Sequence, residues 1–65
     1  MQARTLLRTT EVSKFTGIAE GTLRYWRHRN EGPPSFSLGR RVVYDADELS
    51  AWIDAQRAAA DKVPA

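Results

Sequence analysis

Six polar side chains lie within nine residues of this chain, in the segment EGTLRYWRH at residues 20–28. These residue types suit nucleic acid: a guanidinium can bond two acceptors of a guanine, hydroxyls can bond bases or phosphates, and a carboxylate can accept from a cytosine amine. Arg24 is the best candidate for reading a base, whereas Arg27 and Arg29 suit phosphates. The candidate binding set on this segment is Glu20, Thr22, Arg24, Tyr25, Arg27 and His28.

The charge distribution supports a polyanionic partner. The net charge is only +2, but residues 1–41 carry eight basic and three acidic side chains, whereas residues 42–65 carry two basic and five acidic ones. The two parts therefore have balances of +5 and −3. Such asymmetry favours binding of a polyanion by the first part, although ordinary solvated charge explains it equally well.

Composition narrows the class of protein. The 65 residues include no cysteine and one histidine, and no cluster of paired carboxylates or metal ligands is evident, so we expect neither an enzyme nor a cofactor or metal site. No apolar run reaches the length of a membrane span and the polar start lacks a signal-peptide core, which predicts a cytoplasmic protein with no membrane partner. A chain this short can hardly enclose a pocket, so we expect no small-molecule ligand. We expect a single domain over residues 1–65, with an ordered core at about 6–58 and a flexible tail at about 59–65.

Two short helices must position the polar segment. The first is predicted over residues 10–16, with Thr9 as its N-terminal cap, Val12 and Phe15 on its buried face, and Gly17 ending it. The second begins near residues 19–20.

The apolar side of the second helix consists of Leu23 and Trp26, three residues apart, which leaves the polar set on the outer side. Asn30 and Gly32 suit its C-terminal end, and a proline follows.

A β-hairpin is predicted after the second helix, because runs of period two flank Gly39. Its tip is predicted to consist of three residues, Gly39, Arg40 and Arg41, with the two arginines within reach of a neighbouring DNA backbone or minor groove. Its expected inner face consists of Phe36, Leu38, Val42 and Tyr44.

A third helix begins at an acidic capping box, with Asp45 as the cap and Glu48 three residues later. Its buried stripe is Leu49, Trp52 and Ile53, and Gln56 falls at the next position of the same i, i+3, i+4, i+7 spacing. The order of elements predicts an α+β, mainly α, winged helix-turn-helix fold: two short helices, a hairpin wing and a C-terminal helix.

Several of these residues also have plainer explanations. Arg29 is equally well a solvated side chain, Tyr25 can cover the apolar edge beside Trp26, and the two hairpin arginines can simply keep an exposed hairpin soluble. Gly21 is unfavourable inside a helix. Close approach to DNA and simple tolerance in a first turn both explain it.

The chain resembles a known family in RTTEVSKFTGIAEGTLRYWRHR and PPSFSLGRRVVYDADELSAWI, over about residues 7–53. It is similar to the small winged-helix excisionases, the recombination directionality factors related to the DNA-binding domains of MerR-type regulators and AlpA-like activators. The resemblance implies a sequence-specific, DNA-bending architectural protein of a phage or mobile element. Such proteins bind repeated sites in attachment DNA and direct the integrase toward excision, without cleaving DNA.

By position, the resemblance places the polar set of the second helix on the major groove and the wing residues Arg40 and Arg41 on the adjacent groove or phosphates. The chain departs from the common pattern at Ser13 and Gly21. Its implied partners are double-stranded DNA, an integrase and further copies bound side by side on DNA. Two alternatives stay open: a transcriptional regulator of the AlpA or MerR kind, and a protein-binding adaptor that docks through the Trp52 helix.

Overall fold

The computed structural model describes residues 4–61 of the chain, and the side chains of residues 4–60. Within that range it contains three helices and three strands. In chain order these are β1 (Leu6–Leu7), α1 (Thr9–Thr16), α2 (Glu20–His28), β2 (Phe36–Leu38), β3 (Arg41–Asp45) and α3 (Ala46–Asp61). The α+β class and the order of helices and hairpin agree with the prediction. None of the helices in residues 4–61 is long and apolar enough to cross a bilayer.

The β1 strand is an addition to the predicted elements. It pairs antiparallel with β3, placing Leu6 opposite Asp45 and Leu7 opposite Tyr44. The result is a three-stranded antiparallel sheet in the order β1-β3-β2. Two residues are too few to show the alternation by which a strand is predicted, so this strand is defined only by its partner.

The predicted inner face of the hairpin is confirmed for Val42 and Tyr44, which pack in the core, and wrong for Phe36 and Leu38. Phe36 pairs with Val43 and Leu38 with Arg41, and residues directly opposite each other share a face of the sheet. Phe36 and Leu38 therefore lie on the opposite face from Val42, and they are 40% and 55% exposed. The reason is the turn: it is one residue shorter than expected, so Arg41 belongs to β3, and a shift of one residue exchanges the faces.

The core lies where α1, α2, β3 and α3 meet. Its fully buried members are Val12, Leu23, Tyr44 and Leu49, with Leu7, Ile18, Trp26, Val42, Trp52 and Ile53 packed against them. The two tryptophan rings contact each other, with centroids 6.2 Å apart at an angle of 51°. The assignment of Leu23 and Trp26 to the inner side of α2 is confirmed.

Phe15 is not part of this core, contrary to the prediction, because it is 71% exposed. The side of α1 that faces the core runs through Thr9, Val12, Ser13 and Thr16, which are all buried or half-buried. That is the i, i+3, i+4, i+7 spacing of one helix face, and Phe15 lies beside it.

The ends of the helices explain their boundaries. Asp45 caps α3 as predicted: its Oδ1 accepts hydrogen bonds from the backbone N–H of Asp47 at 2.8 Å and of Glu48 at 3.2 Å. Its second oxygen forms a 2.7 Å ion pair with Arg4 that the sequence does not predict.

The cap of α1 differs from the prediction. The cap residue is Arg8 rather than Thr9, and its backbone N–H donates to the Glu11 carboxylate at 2.8 Å. At the other end of the chain, α3 includes residues 59–61, which the sequence places in the predicted tail; residues 62–65 lie outside the described residues.

Candidate nucleic-acid interface

A tight turn sets α2 against α1. Gly17 ends α1 in the left-handed conformation, with φ of 80°, and its N–H donates to the Ser13 carbonyl at 2.8 Å. The Ile18 N–H then donates to the Thr16 hydroxyl, and the Ile18 side chain is half-buried against the core. Together with Leu23, which is 1% exposed, this turn fixes which side of α2 faces outward.

The outer side of α2 is a continuous exposed stripe. Gly21, Arg24, Tyr25 and His28 are all exposed, as the sequence predicts for the last three. Their spacing of i, i+3, i+4 and i+7 places them in one line along the helix. The stripe therefore presents a guanidinium, a phenol and an imidazole with a glycine at its N-terminal end.

Glu20 and Thr22 lie at the edges of this stripe rather than in it, because both are half-buried. The Glu20 carboxylate already has partners: its Oε1 accepts a hydrogen bond from the Thr10 hydroxyl at 3.1 Å and lies 3.6 Å from Arg24 Nη1.

Arg27 is not on the outer side of α2, where the sequence analysis places it. It is half-buried, and its Nη1 donates to Thr9 Oγ1 and to Tyr44 Oη, each at 3.2 Å. The cause is helical spacing, since Arg27 follows the buried Leu23 by four residues and so lies on nearly the same side. Arg27 therefore links α2 to α1 and to β3.

An arginine-rich cleft, about 310 Å³ in volume, lies between the start of α1, α2 and the hairpin. The residues that line it are Arg8, Thr9, Thr10, Arg27, Arg40, Arg41 and Val42. No acidic side chain occurs in this described lining, and its four arginines come from three segments of the chain: the start of α1, α2 and the hairpin. Such a surface attracts phosphate groups.

Arg8 is a member of this cleft that the sequence analysis missed. It directly precedes α1 and is exposed. Its position immediately before a helix start is a usable signal, because helix N-termini also favour anions. Of the two predicted wing residues, Arg40 lies in the turn, whereas Arg41 lies in β3.

Tyr25 and Arg29 form a pair at the C-terminal end of the stripe. Arg29 Nη1 donates to the Tyr25 hydroxyl at 2.9 Å, and its guanidinium lies 5.6 Å from the centre of the phenol ring. Arg29 Nε is also 3.6 Å from Glu31 Oε1. Tyr25 is 56% exposed, so it presents an open surface rather than covering the edge of the core.

Comparison with known protein families gives a match that fits this arrangement. A family model described as a helix-turn-helix domain matches residues 6–57, a span that includes α1, α2, the hairpin and most of α3. No curated protein and no solved structure is significantly similar to the chain.

Proposed function

The chain belongs to the helix-turn-helix domain family, and since that membership implies DNA binding, we propose that α2 enters the major groove and reads sequence there. A typical domain of this family is not an enzyme, and its partner is DNA. The observation that carries the proposal is the exposed stripe of Arg24, Tyr25 and His28 beside the arginine-rich cleft.

The stripe and the cleft would have different roles: the stripe would read bases, and the cleft would bind the DNA backbone. The stripe projects from a helix, the element that the major groove admits, and Arg24 can bond two acceptors of one guanine. The cleft lies to one side of it and would bind the sugar-phosphate backbone through Arg8, Arg40 and Arg41, which fixes register without reading sequence. Arg27 would mainly hold the three elements of the cleft together.

At a finer level, we propose that this DNA binding serves recombination, with the protein acting as an excisionase of a phage or mobile element. The support is the resemblance of the segments EV, GI, TLRYWR, LGRRVVY and DELSAWI, in that order, to the small winged-helix excisionases. DNA bending at attachment-site repeats and action on an integrase belong to this proposal. The alternative is a transcriptional regulator of the AlpA or MerR kind, which would use the same residues on a promoter.

DNA binding and the role in recombination are tested by two separate experiments. The affinity for duplex DNA, measured at a series of salt concentrations, should fall with a slope of about −0.9 per phosphate contacted. The control variant is Arg57→Ala, which removes an exposed arginine of α3 that does not line the cleft. Its salt slope should equal that of the parent protein. A flat salt response would instead favour the protein-binding adaptor.

For the recombination role, excision and integration yields should be measured with the integrase of the same element. Addition of the protein should raise excision and lower integration. Unchanged yields, with intact DNA binding and an altered reporter signal from a bound promoter, would assign the protein to transcription instead.

A further inference from the structure

The carboxylate of Glu20 connects two helices through one oxygen atom. Its Oε1 accepts from the Thr10 hydroxyl of α1 at 3.1 Å and lies 3.6 Å from Arg24 Nη1, one turn further along α2. The Glu20 side chain is 41% exposed and that of Arg24 is 59% exposed. Thr10 therefore anchors the acid, and the acid in turn restricts the guanidinium at the centre of the stripe.

This ion pair leaves most of the N–H donors of Arg24 available for contact with DNA. A guanidinium has five N–H donors, and a bidentate contact with guanine needs two of them. Arg24 can therefore meet a base edge on the floor of the groove while Nη1 stays beside Glu20. With α2 in the major groove as proposed above, the phosphates would lie at the rim of the groove, and a guanidinium that turned toward them would leave the carboxylate and lose the pair.

We propose that Glu20 is a positioning residue for sequence specificity: it holds Arg24 toward base edges and disfavours its contact with phosphates. The inference rests on the proposed function, because it concerns how the same helix discriminates between DNA sequences. It also assigns Glu20 a different role from direct contact with a cytosine amine. The energetic consequence follows from the geometry: a specific complex retains the ion pair, whereas a non-specific phosphate contact by Arg24 breaks it.

The test compares Glu20→Gln with the parent protein on two duplexes: one selected by the parent protein from a random-sequence library, and a shuffled version of it. Glutamine retains an oxygen that can accept from Thr10 and removes the charge. The ratio of the two affinities should fall by about 1.5- to fivefold, the range for an exposed ion pair, mainly through tighter binding of the shuffled duplex. Thr10→Val, which removes the anchoring hydroxyl, should lower the ratio in the same direction.

Two controls separate positioning from a simple change of charge. Glu31→Gln removes a charge from an ion pair of equal length, Arg29 to Glu31 at 3.6 Å, and should strengthen binding to both duplexes equally. In an Arg24→Ala background, Glu20→Gln should leave the affinity ratio unchanged, because the side chain that it positions is absent. Thermal unfolding of each variant verifies that the domain is folded.

The outcomes are distinct. A parent protein that binds no duplex overturns the proposed function, and this inference with it. A parent protein that selects a sequence, while Glu20→Gln keeps or raises the affinity ratio, overturns the inference alone. The inference is also overturned, and the proposed function kept, if Glu20→Gln lowers the ratio equally with and without Arg24.

Discussion

Two arginines three residues apart on α2 have different surroundings, and the difference assigns them different roles. The Arg24 side chain is 59% exposed and has one ion pair within its own helix. Arg27 is half-buried and donates to a threonine of α1 and to a buried tyrosine of β3. At the scale of single residues, Arg24 is therefore available to DNA, whereas Arg27 contributes to the fold.

The prediction for Arg24 concerns specificity. Arg24→Ala should lose about 1–3 kcal/mol of binding free energy on the preferred sequence and relax the preference at one base pair, because a bidentate guanine contact is removed. Competition binding with single-base variants of the site measures both effects. Equal losses on every sequence would show that Arg24 contacts phosphate instead.

The prediction for Arg27 concerns stability. Arg27→Met keeps a long side chain but removes both hydrogen bonds, and it leaves the hydroxyl of Tyr44, a residue only 1% exposed, without this partner. The free energy of unfolding in urea should fall by about 1–3 kcal/mol. The matched control is Arg24→Met on the same helix, which should change it by less than about 0.5 kcal/mol. Equal losses of unfolding free energy in the two variants would show that Arg27 does not have this structural role.

At the scale of elements, the features that the sequence predicts correctly are those determined by residues close together in the chain. The glycine that ends α1, the aspartate that caps α3 and the apolar pair inside α2 all act within one or two turns of chain. The two-residue β1 strand, the register of the hairpin and the exposure of Phe15 depend on pairing and packing between distant segments. Local patterns carry little information about these, and a hairpin turn one residue shorter than expected is enough to exchange the two faces.

Gly21 in the first turn of α2 and Gly32 in the loop that follows α2 should respond oppositely to alanine. A Cβ on Gly32, where φ is +77°, would lie 2.7 Å from Trp26 Cε3, whereas a Cβ on Gly21 would meet no atom within 4 Å. Gly32→Ala should therefore destabilise the domain by more than about 1 kcal/mol. Gly21→Ala should stabilise it by up to about 1 kcal/mol through helix propensity. Denaturant unfolding measures both, and stabilisation by Gly32→Ala would contradict this account of the loop.

The DNA affinity of Gly21→Ala also decides between the two explanations of this glycine, close approach to DNA and tolerance in the first turn of a helix. Within the protein nothing requires a glycine at this position, since the space around it is open. A loss of DNA affinity in a variant of higher stability would show that the α2 backbone approaches the DNA closely there. Unchanged affinity would mean that the first turn of the helix merely tolerates glycine.

At the scale of the whole molecule, the uneven charge of the sequence corresponds to separate regions of the fold. Arginines from the start of α1, from α2 and from the hairpin meet in one cleft, whereas most of the acidic side chains of the second part of the chain belong to α3. All described side chains from residue 54 to residue 60 of α3 are exposed. A polyanion would thus be attracted to one part of the surface, which favours a defined orientation on DNA over uniform attraction.

The salt dependence of DNA binding should reflect the combined phosphate contacts of the arginines in the cleft. Replacing Arg8, Arg40 and Arg41 together by alanine should weaken binding on all sequences. It should also reduce the slope of log affinity against log salt by up to about 2.7, which is roughly 0.9 for each phosphate that the variant no longer neutralises. All three side chains are exposed, so the thermal midpoint should change little, and loss of folding would not explain the effect. Arg57→Ala should leave the slope as it is. A slope that the triple variant does not alter would place the backbone contacts elsewhere on the molecule.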